Sequence, residues 1–492
     1  MLLATFERDA DTLLTALERA RYLEASGRWP TLALMPAFER FPELASLDAY
    51  EQLLDIDEEE RIALGLQRLV LELYVGSTGA RYDEWLAHQE RTATVEWGGQ
   101  SLPWRYARQL VGIEPERQPR HELDEAIRGA SQPFARVRLD RIKTTRRQIV
   151  EVGQYDLPED DLGFWSHTRG VDVETVSKLA EWILSETSEL YLDALRDQLI
   201  HHRMDEGDTW EVDLEWLFRG EEYDRVYPAH LLMPTATRAL WDLGMRLEDQ
   251  TNVHLDLDDL PERVARSFCA PIGVPDEIVG VLAPRGGVAD YASLLTVLGQ
   301  AERHAYADRT QSIAYRRLGD QAVVESYGLL FARHLERPQW LAMRLEADAT
   351  RDAIRLRAFE RLYRLRRAAV SHLYEVELRK AEEPDALESE YVDRFADALM
   401  VRPFAENFLD VADDPFDGAR HMRAALFAGQ LGKLLEQEYD EEWYRSGRAG
   451  RFLVDRWREG QRYTAEELAR FLGFEGLDPS VLVADLRAGL TD

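Results

Sequence analysis

Apolar side chains recur along most of this chain at intervals of three and four residues, the spacing that gathers them on one face of an α-helix. Leu13, Leu14 and Leu17 open the pattern, and Ile62, Ala63, Leu66, Leu69, Val70 and Leu73 carry it through a longer run. The architecture this predicts is mainly α. Two regions break the period. Thr92 to Trp97 and Gln100 to Trp104 alternate around Gly98-Gly99, the signature of a hairpin closed by a two-glycine turn. Asn252 to Leu257 and Asp276 to Leu282 read as extended segments ending at the turn Pro284 to Gly287, so a small sheet is expected within residues 252–283. Thr464-Ala465-Glu466-Glu467, ahead of Leu468 and Phe471, has the form of a capping box that opens a helix.

Pro and Gly cluster at 153–163, 271–275, 284–287 and 413–418, all too short to be flexible linkers. The expected organisation is two helical lobes in one body. Residues 1–150 form an N-terminal lobe with a hairpin near 92–104. Residues 151–492 form a second lobe holding the small sheet, a helix over 291–307 and a further helix over 320–334.

Composition narrows the function classes. With 45% hydrophobic residues and 12 Trp, the 492-residue chain has ample material for a core. Its net charge of −32, from 92 acidic against 60 basic residues, disfavours nucleic acid and anionic membrane as partners. No run reaches about 18 apolar residues, and the start lacks the layout of a secretory signal, so a cytoplasmic protein is expected. The lone Cys269 leaves no intramolecular disulfide and no thiolate cluster, and is expected to be a small buried apolar residue.

Leu294 to Ala305 reads Leu-Leu-Thr-Val-Leu-Gly-Gln-Ala-Glu-Arg-His-Ala. Together with Arg266 to Ile272, Val274 to Ile278, Pro284 to Tyr291, Gly319 to Phe331 and Trp443 to Gly460, it resembles the oligoendopeptidase F and thimet oligopeptidase group of gluzincin metallopeptidases. The resemblance extends over roughly residues 60 to 490. It implies a zincin-like, two-lobed helical fold with a deep central cleft and a small β-sheet. In that group a His-Glu-x-x-His helix supplies two zinc ligands one helical turn apart and a general base beside the metal-bound water. The resemblance places Thr296 at the first zinc His, Val297 at the base and Gln300 at the second zinc His. Glu325, 25 positions after Gln300, falls where the group has its third ligand. Asp417 and His421 fall where it uses Tyr to stabilise an oxyanion, and an Asp would repel that charge.

Thr and Gln bind zinc poorly and Val cannot accept a proton, so the resemblance implies a pseudoenzyme that carries no zinc. Its expected role is to bind peptides or a protein partner in the former active-site cleft, lined by Glu325, Asp417, His421, Arg423, Ile278 and Gly280. The segment Ile278 to Leu282, taken as an edge strand, would pair with an extended peptide by β-augmentation. The alternative is a metallopeptidase cleaving short peptides through an unconventional metal site, with Glu325 joined by His304, His421 or His254. A structural subunit beside an active paralogue is compatible with the first reading.

Other metal candidates are thin. Adjacent residues on a helix diverge by about 100°, so His201 and His202 are expected to be surface residues with poor chelating geometry. His254, Asp256 and Asp258 share a strand face, as the polar side of a half-exposed strand does in any case.

Overall fold

The computed structural model of the protein describes residues 3–345 and 351–491. Helices dominate, as the apolar spacing requires. Helix α1 (Leu3–Ala25) buries Leu13 and Leu17, and α2 (Glu60–Thr92) buries Leu66, Leu69, Val70 and Leu73. A hairpin of β1 (Thr94–Trp97) and β2 (Gln100–Pro103) follows, with Gly98 at φ 59° and Gly99 at φ 77° in its turn. Both glycines adopt the left-handed conformation that a tight two-residue turn demands and that side chains resist. Helix α3 (Arg117–Val150) then runs alongside α2.

The next helices that matter are α4 (Ser188–His202) and α5 (Glu211–Arg219). They lead to a three-stranded sheet of β3 (Val253–Asp256), β4 (Phe268–Gly273) and β5 (Glu277–Val281), in the order β3-β5-β4. Strand β5 is parallel to β3 and antiparallel to β4, so it lies in the middle. This corrects the expectation of an edge strand at Ile278 to Leu282. The unbroken apolar run Ile278-Val279-Gly280-Val281-Leu282 is what a strand covered on both faces looks like. Both edges of β5 are already hydrogen-bonded, so Ile278 and Gly280 have no free backbone to offer a peptide.

Helix α6 (Gly287–Ala305) lies across this sheet and against α7 (Gln321–Ala332). Two glycines set the crossing. A Cβ on Gly299 would sit 2.4 Å from the Tyr327 carbonyl oxygen, and one on Gly328 would sit 2.7 Å from that of Thr296. The helices therefore touch backbone to backbone, closer than any side chain at these two positions allows. Helices α8 (Arg351–Lys380), α9 (Asp417–Tyr439) and α10 (Ala465–Phe471) complete the scaffold around the site. The predicted capping box forms at Thr464 and Glu467. The core holds Trp340, Trp443 and Trp457 with no exposed surface. No described helix is long and apolar enough to cross a membrane.

Candidate functional site

The α6–α7 crossing brings the sequence-predicted residues together. Thr296 Cγ2 and Gln300 Cγ lie 3.0 and 3.2 Å from where a Gly328 Cβ would be, so both side chains lean over α7. Glu325 precedes Gly328 by three residues and shares its helix face, one turn away. Val297 points elsewhere. Its Cγ1 lies 2.5 Å from the position of a Gly280 Cβ, and the residue is 3% exposed. The side chain is packed onto β5, which explains why residue 280 is glycine.

The Glu325 carboxylate is taken up by two side chains from α9. His421 Nδ1 donates to Glu325 Oε1 at 2.6 Å, and Arg420 Nε donates to Oε2 at 3.1 Å. The same guanidinium donates from Nη1 to Asp414 Oδ2 at 2.6 Å and from Nη2 to Asp417. One Arg thus ties three carboxylates together. Burial alone would raise the Glu325 carboxyl, but the charges and hydrogen bonds of His421 and Arg420 outweigh it and hold the group below its ordinary value. Asp417 differs: burial, with Glu325 and Asp414 nearby, pushes it up despite Arg420.

The start of α9 is held firmly. Phe416 takes a left-handed conformation (φ 60°), and its N–H donates to both oxygens of the Glu375 carboxylate at 2.9 and 3.0 Å. Glu375 is buried and pushed up to about 7 by burial, with Arg379 opposing that shift. A Cβ on Gly418 would sit 2.4 Å from the Ala368 carbonyl oxygen, so α9 lies directly on α8. Arg420 and His421 are therefore presented to Glu325 from a fixed platform.

The cluster reaches solvent at Asp417. Asp417 keeps 61% of its side-chain surface open to solvent, yet burial is the main influence on its carboxyl. Asp410, 41% exposed, is likewise pushed up to about 6 by burial. Charges from elsewhere in the chain reach the cluster. Glu72 of α2 senses the charge of Asp414, and Asp414 senses Arg169 and Arg266.

No protein-family model matches the chain, and no curated protein matches it in sequence. Solved structures match it in shape. PZ peptidase A, solved with an inhibitor, superposes with a TM-score of 0.67 over 90% of this chain and 83% of its own, at 12% identity. A structure assigned as an oligoendopeptidase F gives 0.66 over 95% and 84%, also at 12% identity. The M32 carboxypeptidase from Deinococcus radiodurans R1 gives 0.57 over 99% and 98%, at 14% identity. This chain has the helical, zincin-like peptidase fold.

Within that zincin-like fold, several residues stand differently from expectation. Arg423 does not face Glu325. It donates to Asp320 at 3.1 and 2.6 Å and to Glu466 at 2.6 Å, tying the start of α7 to α10. Arg420 was not singled out in the sequence, although an arginine one turn after Asp417 in the acidic stretch Asp413-Asp414 to Asp417 is a signal. His304 is buried, and burial with neighbouring Arg303 and Arg317 drives its ring down to about 3, so it is neutral. His254 is exposed on β3. Asp256 accepts from Arg28 Nε and Arg263 Nη2 at 2.6 Å each, and Asp258 pairs with Arg28, which occupies these carboxylates without a cation. Cys269 is half-buried on β4, its thiol pushed up to about 12 by burial.

The residues at the Glu325 site do not fit the zinc that the fold class implies. Neither Thr296 nor Gln300 is an imidazole, and the lone carboxylate is committed to Arg420 and His421.

Proposed function

We propose that this protein is a non-catalytic homologue of oligopeptidase-type metallopeptidases that binds a peptide or protein segment in the cleft beside Glu325. The carrying observation is the Arg420–Glu325–His421 contact. The positive charge a metal would bring to this carboxylate comes from the protein itself, and α6 offers no imidazole and no base at Thr296, Val297 and Gln300. The partly exposed Asp414, Asp417 and Arg420 beside Glu325 suit a polar segment of mixed charge, held by side-chain ion pairs. Because β5 is internal, strand addition to this sheet would have to use β3 or β4, each of which pairs on one side only.

The test is a quenched peptide library assayed with and without chelator, next to binding measurements on the same peptides. Stoichiometric binding without turnover is expected, with affinity lowered in Arg420→Met. Chelator-sensitive turnover that disappears in Glu325→Gln would overturn this reading and establish the alternative, hydrolysis at an unconventional site built on Glu325 and His421.

A further inference from the structure

The adjacent residues His201 and His202 do not behave as their helical spacing suggests. They are the last two residues of α4, and Arg203 behind them turns the chain left-handed at φ 56°. Both imidazoles bend past the helix end towards a carboxylate from another element. Glu222 lies beyond α5, after Gly220, whose φ of 60° makes the turn. His201 Nε2 is 3.0 Å from Glu222 Oε2, and His202 Nε2 is 3.9 Å from Oε1. One ligand atom from each of the three residues lies within 4.8 Å of the other two, and no other such trio occurs among the described residues.

We propose that His201, His202 and Glu222 form a binding site for a borderline divalent metal ion, with Zn²⁺ as the preferred occupant. Two imidazoles and one carboxylate are the donors that zinc takes at about 2.0–2.2 Å, whereas Ca²⁺ and Mg²⁺ want oxygen alone. The three candidate ligand atoms already lie within 4.8 Å of one another, and His201, 55% exposed, has solvent around its ring into which it can turn. The two rings stand 4.7 Å apart at 82°, so they approach the shared point from different directions. His202 is fixed by an edge contact with Trp216 at 5.2 Å, and Tyr223 hydrogen-bonds Glu222, the kind of outer support that orients ligands. The site sits at the C-terminus of α4, where the carbonyl ends of the helix favour a cation.

Two of the three ligands, His202 and Glu222, also line a cavity of about 300 Å³ with Trp216, Leu217, Gly220 and Glu221. Water or a small donor ligand would complete the shell there. This site uses none of the residues around Glu325, so it stands or falls independently of the peptide-binding proposal.

The experiment uses tag-free, chelator-stripped full-length protein titrated with Co²⁺, whose visible d–d bands report coordination, followed by displacement with Zn²⁺. One equivalent of Co²⁺, displaced by Zn²⁺, is expected. His201→Ala/His202→Ala and Glu222→Gln should each weaken binding by more than the roughly 10–100-fold that loss of an outer-shell partner costs. Glu325→Gln should bind as the parent does. Circular dichroism of each variant separates ligand loss from misfolding. Absence of a cobalt band up to roughly 1 mM metal, or binding that survives the double His change and is lost in Glu325→Gln, would overturn the assignment.

Discussion

His421 stands 2.6 Å from Glu325 and shares that carboxylate with Arg420, so both oxygens of Glu325 are engaged by side chains of the protein's own α9. Arg420 also serves Asp414 and Asp417, which leaves three carboxylates dependent on one guanidinium. Arg420→Met should therefore destabilise the protein by about 1–3 kcal/mol, less than a fully buried pair would lose because the side chain is 29% exposed. Adding Glu325→Gln should recover part of that loss. Chemical denaturation of the two single variants and the double variant measures the coupling, and strict additivity would show that the contact carries no energy.

A zinc site built at Glu325 requires more than two added imidazoles. Thr296→His with Gln300→His places both rings over α7 beside Glu325, but the carboxylate remains bound to Arg420 and His421. This pair alone should gain no tight zinc. Adding Arg420→Met and His421→Ala frees Glu325 and should produce a three-ligand site, detected by competition with a chromophoric chelator. Val297→Glu should be left out of the set, since it buries a carboxylate against Gly280 where Val297 is 3% exposed.

Much of this was legible in the residues, for identifiable reasons. The hairpin at 94–103 announced itself because Gly98 and Gly99 are local requirements of the turn. The placement of Thr296, Gln300 and Glu325 followed from the resemblance, and Gly299 and Gly328 physically enforce it. What was hidden depends on partners remote in sequence. The run Ile278 to Leu282 cannot reveal that β3, more than twenty residues earlier, covers its second edge. Arg423 looked equivalent to His421 until Asp320 and Glu466 claimed it. The convergence of His201 and His202 needed the helix to end where it does and Glu222 to arrive from beyond α5.

Gly299 should tolerate nothing larger. Its missing Cβ leaves 2.4 Å to the Tyr327 carbonyl, which is backbone and cannot swing aside. Gly299→Ala must push α6 off α7, at a cost of about 1–3 kcal/mol by the usual scale of overpacking. Ser293→Ala, on the same helix but half-buried, should cost under about 0.5 kcal/mol. Equal losses in thermal or urea unfolding would argue against a backbone-to-backbone crossing.

Glu302 on α6 has no exposed surface, accepts one hydrogen bond from Gln250 Nε2 at 2.8 Å, and has an Oε1 without a partner among the described residues. Burial pushes its carboxyl from an ordinary value near 4.5 up to about 7, with the Gln250 hydrogen bond opposing. The folded protein therefore holds this proton more tightly than the unfolded chain does. Its contribution to stability is complete below about pH 4.5 and is lost as pH rises through about 7. At roughly 1.4 kcal/mol per pH unit, the rise from 4.5 to about 7 makes the loss on the order of 3–4 kcal/mol. Glu302→Gln keeps the shape, supplies an N–H in place of the proton, and removes the titration. Melting curves across pH 5 to 8 should fall less steeply for the variant than for the parent, with the variant the more stable of the two at the alkaline end. Parallel curves would mean that Glu302 is ionised throughout.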